Sequence, residues 1–83
     1  MYSVYILRCS DNSLYTGIAK NVKRRVEEHN SSTLGAKYTK ARRPVHLVFS
    51  KQHTSRSEAL KEEYRIKQLA REQKLELIKN HRK

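Results

Sequence analysis

Tyr2-Ser3-Val4-Tyr5-Ile6-Leu7, the cluster Ser10-Asp11-Asn12-Ser13 and Leu14-Tyr15-Thr16-Gly17-Ile18 open the chain, and their reading decides the fold. The first run is rich in aromatic and β-branched residues, which suit a pleated strand. Asp, Asn and Ser in series favour a turn, and the run from Leu14 resumes the strand pattern. A β-hairpin is expected. Side chains alternate across a strand, so Tyr5 shares a face with Leu7, and Tyr15 with Gly17. Which face each set takes depends on the register. A glycine late in a strand marks either a close approach by another group or a bulge, and both readings apply to Gly17.

Beyond the hairpin, Asn21 is a good helix N-cap, and Val22 and Val26 give an apolar pair at i, i+4. Arg25 and His29 share a neighbouring face of that helix, which is expected to run to about Asn30. Ser31 to Gly35 reads as a loop, and Ala36 to Arg43 as a short basic segment of a helical turn or so, ended by Pro44. Val45, Leu47 and Phe49 alternate against His46 and Val48, which predicts a third strand over Val45 to Phe49. Ser55 and Glu58 have the spacing of a capping box and open a helix toward Leu69. A second helical stretch follows over Gln73 to Asn80, with Leu75, Ile78 and Leu77 as its apolar residues. The predicted fold class is α/β: a three-stranded antiparallel sheet flanked by helices, in the order β-β-α-β-α-α, as one domain over residues 1–83.

Eighty-three residues leave room for one modest core. A chain of this size buries only roughly 60–65% of the surface that it exposes when unfolded. Any activity must share the surface that captures its substrate. Nineteen Lys and Arg against eight Asp and Glu give a net charge of +11. An excess this dense points to a polyanion, above all nucleic acid. No apolar run approaches the roughly 18–20 residues of a membrane-spanning helix, and no signal peptide is read at the start. Cys9 is the only cysteine, so an intrachain disulfide is excluded; it is expected to pack as a small apolar residue at a strand end, and a reducing cytoplasm fits.

Several residues have the chemistry to cut a phosphodiester if they converge. A phenolate can take a proton, a guanidinium can hold phosphate oxygens, and a carboxylate can carry a divalent metal. Tyr5, Tyr15, Arg25, His29 and Glu63 are the candidates. At about 100° per residue, Ala59, Leu60, Ile66 and Ala70 form an arc around Glu63, whereas Glu62 lies toward its edge and is expected to be solvated. A carboxylate on an apolar face needs a partner, either a metal or an arginine such as Arg25. Tyr5 and Tyr15 otherwise read as core residues with their hydroxyls at the edge. A free phenol titrates near 10, so Tyr5 needs positive charge close by to act as a base. Lys23, Arg24, Lys37, Lys40, Arg42 and Arg43 are expected to contact nucleic acid. Tyr38, set among those cations, either stacks a base or packs over the helix.

The ordered segments Leu14-Tyr15-Thr16-Gly17-Ile18, Gly35-Ala36-Lys37-Tyr38-Thr39, Ala41-Arg42-Arg43-Pro44-Val45 and Glu63-Tyr64-Arg65-Ile66-Lys67 resemble the GIY-YIG nuclease family over nearly the whole chain. The closest likeness is to its small single-domain bacterial members. The resemblance implies a metal-dependent endonuclease acting on nucleic acid, with single-stranded or branched DNA as the expected substrate. It implies Tyr5 as the residue that activates water and Tyr15 as its hydrogen-bonding support. It also implies Arg25 as the phosphate clamp, His29 as a positioner of Tyr5 or of phosphate, and Glu63 as the ligand of Mg²⁺ or Mn²⁺. Ser3 stands where the family's first tripeptide has glycine, and the asparagine that some larger members carry after the glutamate has no counterpart. The alternatives are a non-catalytic nucleic-acid-binding module or a basic structural protein on the same fold. A monomer is expected.

Overall fold

A computed structural model describes residues 1–31 and 35–81. The central part of the loop expected at Ser31 to Gly35, together with residues 82 and 83, lies outside the described residues. The elements are β1 (Tyr2–Arg8), β2 (Leu14–Ala19), α1 (Val22–Ser31), α2 (Lys37–Lys40), β3 (His46–His53), α3 (Arg56–Lys67) and α4 (Arg71–His81). The three strands form an antiparallel sheet in the order β2-β1-β3. The basic segment before Pro44 is the four-residue helix α2, additional to the expected order.

β1 lies in the middle of the sheet, which explains why its run is apolar without alternation: both of its faces are covered. Val4 and Ile6 join Phe49, Ala59, Ile66 and Ile78 in a core beneath α3 and α4. Tyr5 and Leu7 face the other way, with Cys9, Val45, and the half-buried Val22 and Val26 of α1. The hairpin turn holds Asn12 at φ 69°, a left-handed conformation that asparagine tolerates. Asp11 Oδ1 accepts from the Ser13 amide at 3.0 Å.

β3 departs from expectation in length and facing. It runs to His53, because Ser50, Lys51, Gln52 and His53 pair with Tyr5, Val4, Ser3 and Tyr2. Cross-strand pairing outweighs the poor strand propensity of that polar stretch. The register shifts between Ile6 and Leu7: Ile6 opposes Phe49 and Leu7 opposes Leu47, leaving Val48 as an extra residue. This bulge breaks the Val45/Leu47/Phe49 alternation, so Leu47 is 45% exposed while Val48 packs against the core.

The helix starts follow the capping signals. Asn21 Oδ1 accepts from the Arg24 amide at 3.0 Å, and Ser55 Oγ from the Glu58 amide at 3.2 Å. The boundary between α3 and α4 is set by Gln73, whose Oε1 accepts from the Ala70 amide at 2.9 Å. In α4, Ile78 is buried and Leu77 half-buried, but Leu75 is 41% exposed and outside the core.

Candidate active site

The hairpin register puts Tyr5 directly opposite Gly17 and Leu7 opposite Tyr15. Gly17 is a close-approach glycine. A Cβ built there would stand 2.7 Å from the Tyr5 hydroxyl and 2.9 Å from its Cζ. The missing side chain is the space that Tyr5 occupies.

Around Tyr5 the structure gathers rings from three elements. Tyr15 of β2 lies 6.4 Å from Tyr5 and 5.2 Å from His29 of α1, centroid to centroid. Tyr38 of α2 stacks on Tyr15 at 5.9 Å. Tyr5 Oη and His29 Nε2 are 2.9 Å apart in a buried hydrogen bond. On the other side of the imidazole, Nδ1 meets Thr39 Oγ1 at 2.8 Å and the Ala36 amide at 3.3 Å. Gly35 makes this approach possible, since a Cβ there would fall 2.8 Å from the His29 Cα.

Arg25, one turn before His29, donates to Glu28 Oε1 at 2.8 Å, and its guanidinium is close enough to Tyr5 to act on the phenol. Tyr5 is a neutral phenol at ordinary pH, its pKa pushed up to about 12, first by burial and then by Tyr15. Arg25 pulls in the opposite direction without outweighing them, so Tyr5 rests as the phenol. Burial, followed by the Arg25 charge, holds His29 below the usual histidine range.

Glu63 and Glu62 differ less than the helical wheel suggested. Their side chains are 18% and 17% exposed, so Glu62 is not the solvated member of the pair. The difference lies in their partners. Arg65 grips Glu62 through two bonds, at 2.5 and 3.1 Å, and this hydrogen bonding lowers the pKa of Glu62. Among the described residues Glu63 pairs with Lys67 alone, at 3.5 Å, one turn away. Its charge also acts on the Tyr5 phenol, more weakly than the other groups named above. Among the described residues no three His, Cys, Asp or Glu converge. A lone carboxylate of this kind fits Mg²⁺ or Mn²⁺ completed by water and phosphate oxygens, and does not fit a closed protein cage.

The basic residues fall into two groups. Lys23, Lys37 and Lys40 are exposed, and so is Arg24, which reaches Glu28 at 3.5 Å. Arg42 and Arg43 serve the architecture. Arg42 donates to Asp11 Oδ2 at 3.1 Å and to the Tyr38 carbonyl at 2.9 Å, and its guanidinium lies 4.0 Å over the Tyr38 ring. Arg43 Nε donates to the His29 carbonyl at 2.5 Å, capping the end of α1. Tyr38 thus packs between Tyr15 and Arg42 while remaining 39% exposed.

The GIY-YIG catalytic domain model matches residues 1–76. The chain belongs to the GIY-YIG family. A UPF0213 protein of Staphylococcus aureus is 62% identical over 76 residues, covering 92% of each chain. Among solved structures, a UPF0213 protein from Bacillus halodurans superposes with a TM-score of 0.61 at 44% identity, covering 95% of this chain and 84% of that one. A protein from E. faecalis superposes with a TM-score of 0.63 at 38% identity, covering 99% and 88%. Membership in the GIY-YIG family gives the chain a nuclease-type function. Among the described residues no helix is long and apolar enough to cross a membrane.

Four further residues hold this cluster in place. Thr39 and Ala36 hold His29, Glu28 holds Arg25, and Asp11 holds Arg42. The complete burial of Thr39 is a tertiary fact that its place between Tyr38 and Lys40 does not show.

Proposed function

We propose that this protein is a metal-dependent endonuclease that hydrolyses phosphodiester bonds of DNA, with single-stranded or branched DNA as its substrate. The observation that carries this reading is the convergence of Tyr5, Tyr15, Arg25 and His29 around the buried Tyr5–His29 hydrogen bond, with the Glu63 charge acting on the same phenol. A water oxygen attacks phosphorus and the bond to the 3′ oxygen breaks. Tyr5 releases its hydroxyl proton to bulk water and then accepts the proton of the attacking water, and the departing 3′ oxygen takes up a proton from solvent. Arg25 balances charge on the phosphoryl oxygens, and Tyr15 with His29 fixes the Tyr5 ring. Glu63 would hold a divalent cation, whose chemistry is to neutralise the charge that develops on the leaving oxygen. Lys23, Arg24, Lys37 and Lys40 gather the polyanion, with Arg42 and Arg43 adding charge from their structural positions. A cytoplasmic monomer made of one domain suits this reading.

The purified protein, incubated with labelled single-stranded, duplex and forked DNA in Mg²⁺, Mn²⁺ or chelator, should cleave single-stranded or forked DNA only when metal is present. Binding without cleavage under every condition would favour the alternative, a basic nucleic-acid-binding module.

A further inference from the structure

His29 is completely buried, with a partner on each ring nitrogen. A neutral imidazole carries one ring hydrogen, and the partner whose direction cannot be reversed decides where that hydrogen sits. Here that partner is the Ala36 amide, 3.3 Å from Nδ1, because a backbone N–H only donates. Nδ1 is therefore an acceptor. The Thr39 hydroxyl, 2.8 Å from the same nitrogen, also lies 2.9 Å from the Ala36 carbonyl. That carbonyl already receives the amides of Thr39 at 3.1 Å and Lys40 at 3.2 Å, which uses its two lone pairs. Nδ1 has one lone pair, shared with the Ala36 amide; but once Nδ1 carries no hydrogen, a 2.8 Å contact to Oγ1 needs the hydroxyl hydrogen between the two atoms, so Thr39 donates to Nδ1.

We infer that the Ala36 amide and the Thr39 hydroxyl lock His29 in the tautomer with hydrogen on Nε2, so that His29 donates to the Tyr5 oxygen and Thr39 is a positioning residue for the reaction. The catalytic part rests on the proposed nuclease reading; the tautomer itself does not. The Tyr5 oxygen then accepts from His29 Nε2, and its own hydrogen points elsewhere. When Tyr5 gives up that proton to water, the charge forms on an oxygen already facing one fixed donor, beside the Arg25 charge that favours ionisation. With its Nε2 already protonated, His29 does not carry the proton away.

Long-range ¹⁵N–¹H correlation spectra of the wild-type protein, without DNA or metal, read the tautomer directly. A pyridine-type Nδ1 and a pyrrole-type Nε2 for His29 are expected at neutral pH. The reverse assignment overturns the inference whether or not the protein cleaves DNA. Thr39→Val removes one donor at nearly constant volume. It should slow cleavage about 5–10-fold, the effect of one lost hydrogen bond, with DNA affinity unchanged. Thr39→Ser should restore the rate. If Thr39→Val cleaves at the wild-type rate, or if Thr39→Ser is as slow as Thr39→Val, Thr39 is not a positioning residue.

Discussion

Gly17→Ala is the smallest change that tests the geometry of the site. The new methyl would sit 2.7 Å from the Tyr5 hydroxyl, 2.9 Å from Tyr5 Cζ and 3.2 Å from Tyr15 Cε2. These separations are short of ordinary contact by about 0.5–1 Å. Tyr5 cannot swing away freely, because its ring is 1% exposed and its hydroxyl is tied to His29. Either the strands part or the phenol shifts. Overpacking of this kind costs typically about 1–3 kcal/mol. At about 4–8 °C per kcal/mol for a domain this size, a cost of about 2 kcal/mol lowers Tm by about 8–16 °C. A phenol displaced by close to 1 Å should also slow the chemical step about 10²-fold while leaving DNA affinity intact. The assays are thermal unfolding by circular dichroism and single-turnover cleavage of labelled DNA. Tyr5→Phe removes the atom at 2.7 Å, so the Tm cost of Gly17→Ala should shrink in that background. An unchanged Tm, or an equal cost in both backgrounds, would refute the close-approach reading of Gly17.

Glu63→Gln should abolish metal-dependent cleavage while preserving DNA binding, whereas Glu62→Gln should retain cleavage and lose at most about 1 kcal/mol in urea unfolding, the usual limit for a surface ion pair. Because His29 sits below its ordinary range in the fold, the unfolded chain binds its proton more readily. That stability is present above about pH 6.5 and lost as the pH falls below it, and His29→Gln should remove this part of the acid sensitivity in denaturant titrations. Tyr5 works in the opposite sense: its raised pKa contributes stability below pH 10 that is lost as pH rises from 10 toward about 12, and Tyr5→Phe should delete the last tyrosine transition in an absorbance titration. DNA affinity should fall linearly with salt on a log–log plot, less steeply after Lys37→Ala and Lys40→Ala, and a flat plot would rule out a polyanion as the main ligand.

The hairpin, the caps at Asn21 and Ser55 and the face shared by Arg25 and His29 were legible because each rests on local chemistry within one or two turns of chain. Convergence of Tyr5, Tyr15, Arg25 and His29 was legible only through family resemblance, since it depends on a register no single strand encodes. The Val48 bulge escaped because Val45, Leu47 and Phe49 alternate well enough to mimic a regular strand. Glu62 misled for a related reason. A helical wheel reports angle and not neighbours: Glu62 is held by Arg65, and its pKa also responds to Lys51 and His53 of β3. The charge of Arg42 and Arg43 suggested nucleic acid, while their geometry ties the hairpin turn, α1 and α2 together.

Asn30 offers one last consequence. Its amide nitrogen donates to the Val45 carbonyl at 3.0 Å and its amide oxygen accepts from the Val45 N–H at 2.7 Å. A side chain here imitates the backbone of a neighbouring strand. The residue leading into β3 is thus paired with a helix, the same helix that carries Arg25 and His29. Any excursion that lifts the end of α1 off the sheet must release the Val45 amide to solvent as it draws both groups away from Tyr5. Hydrogen exchange at that single amide therefore times the lifting of the end of α1, and with it the separation of Arg25 and His29 from Tyr5.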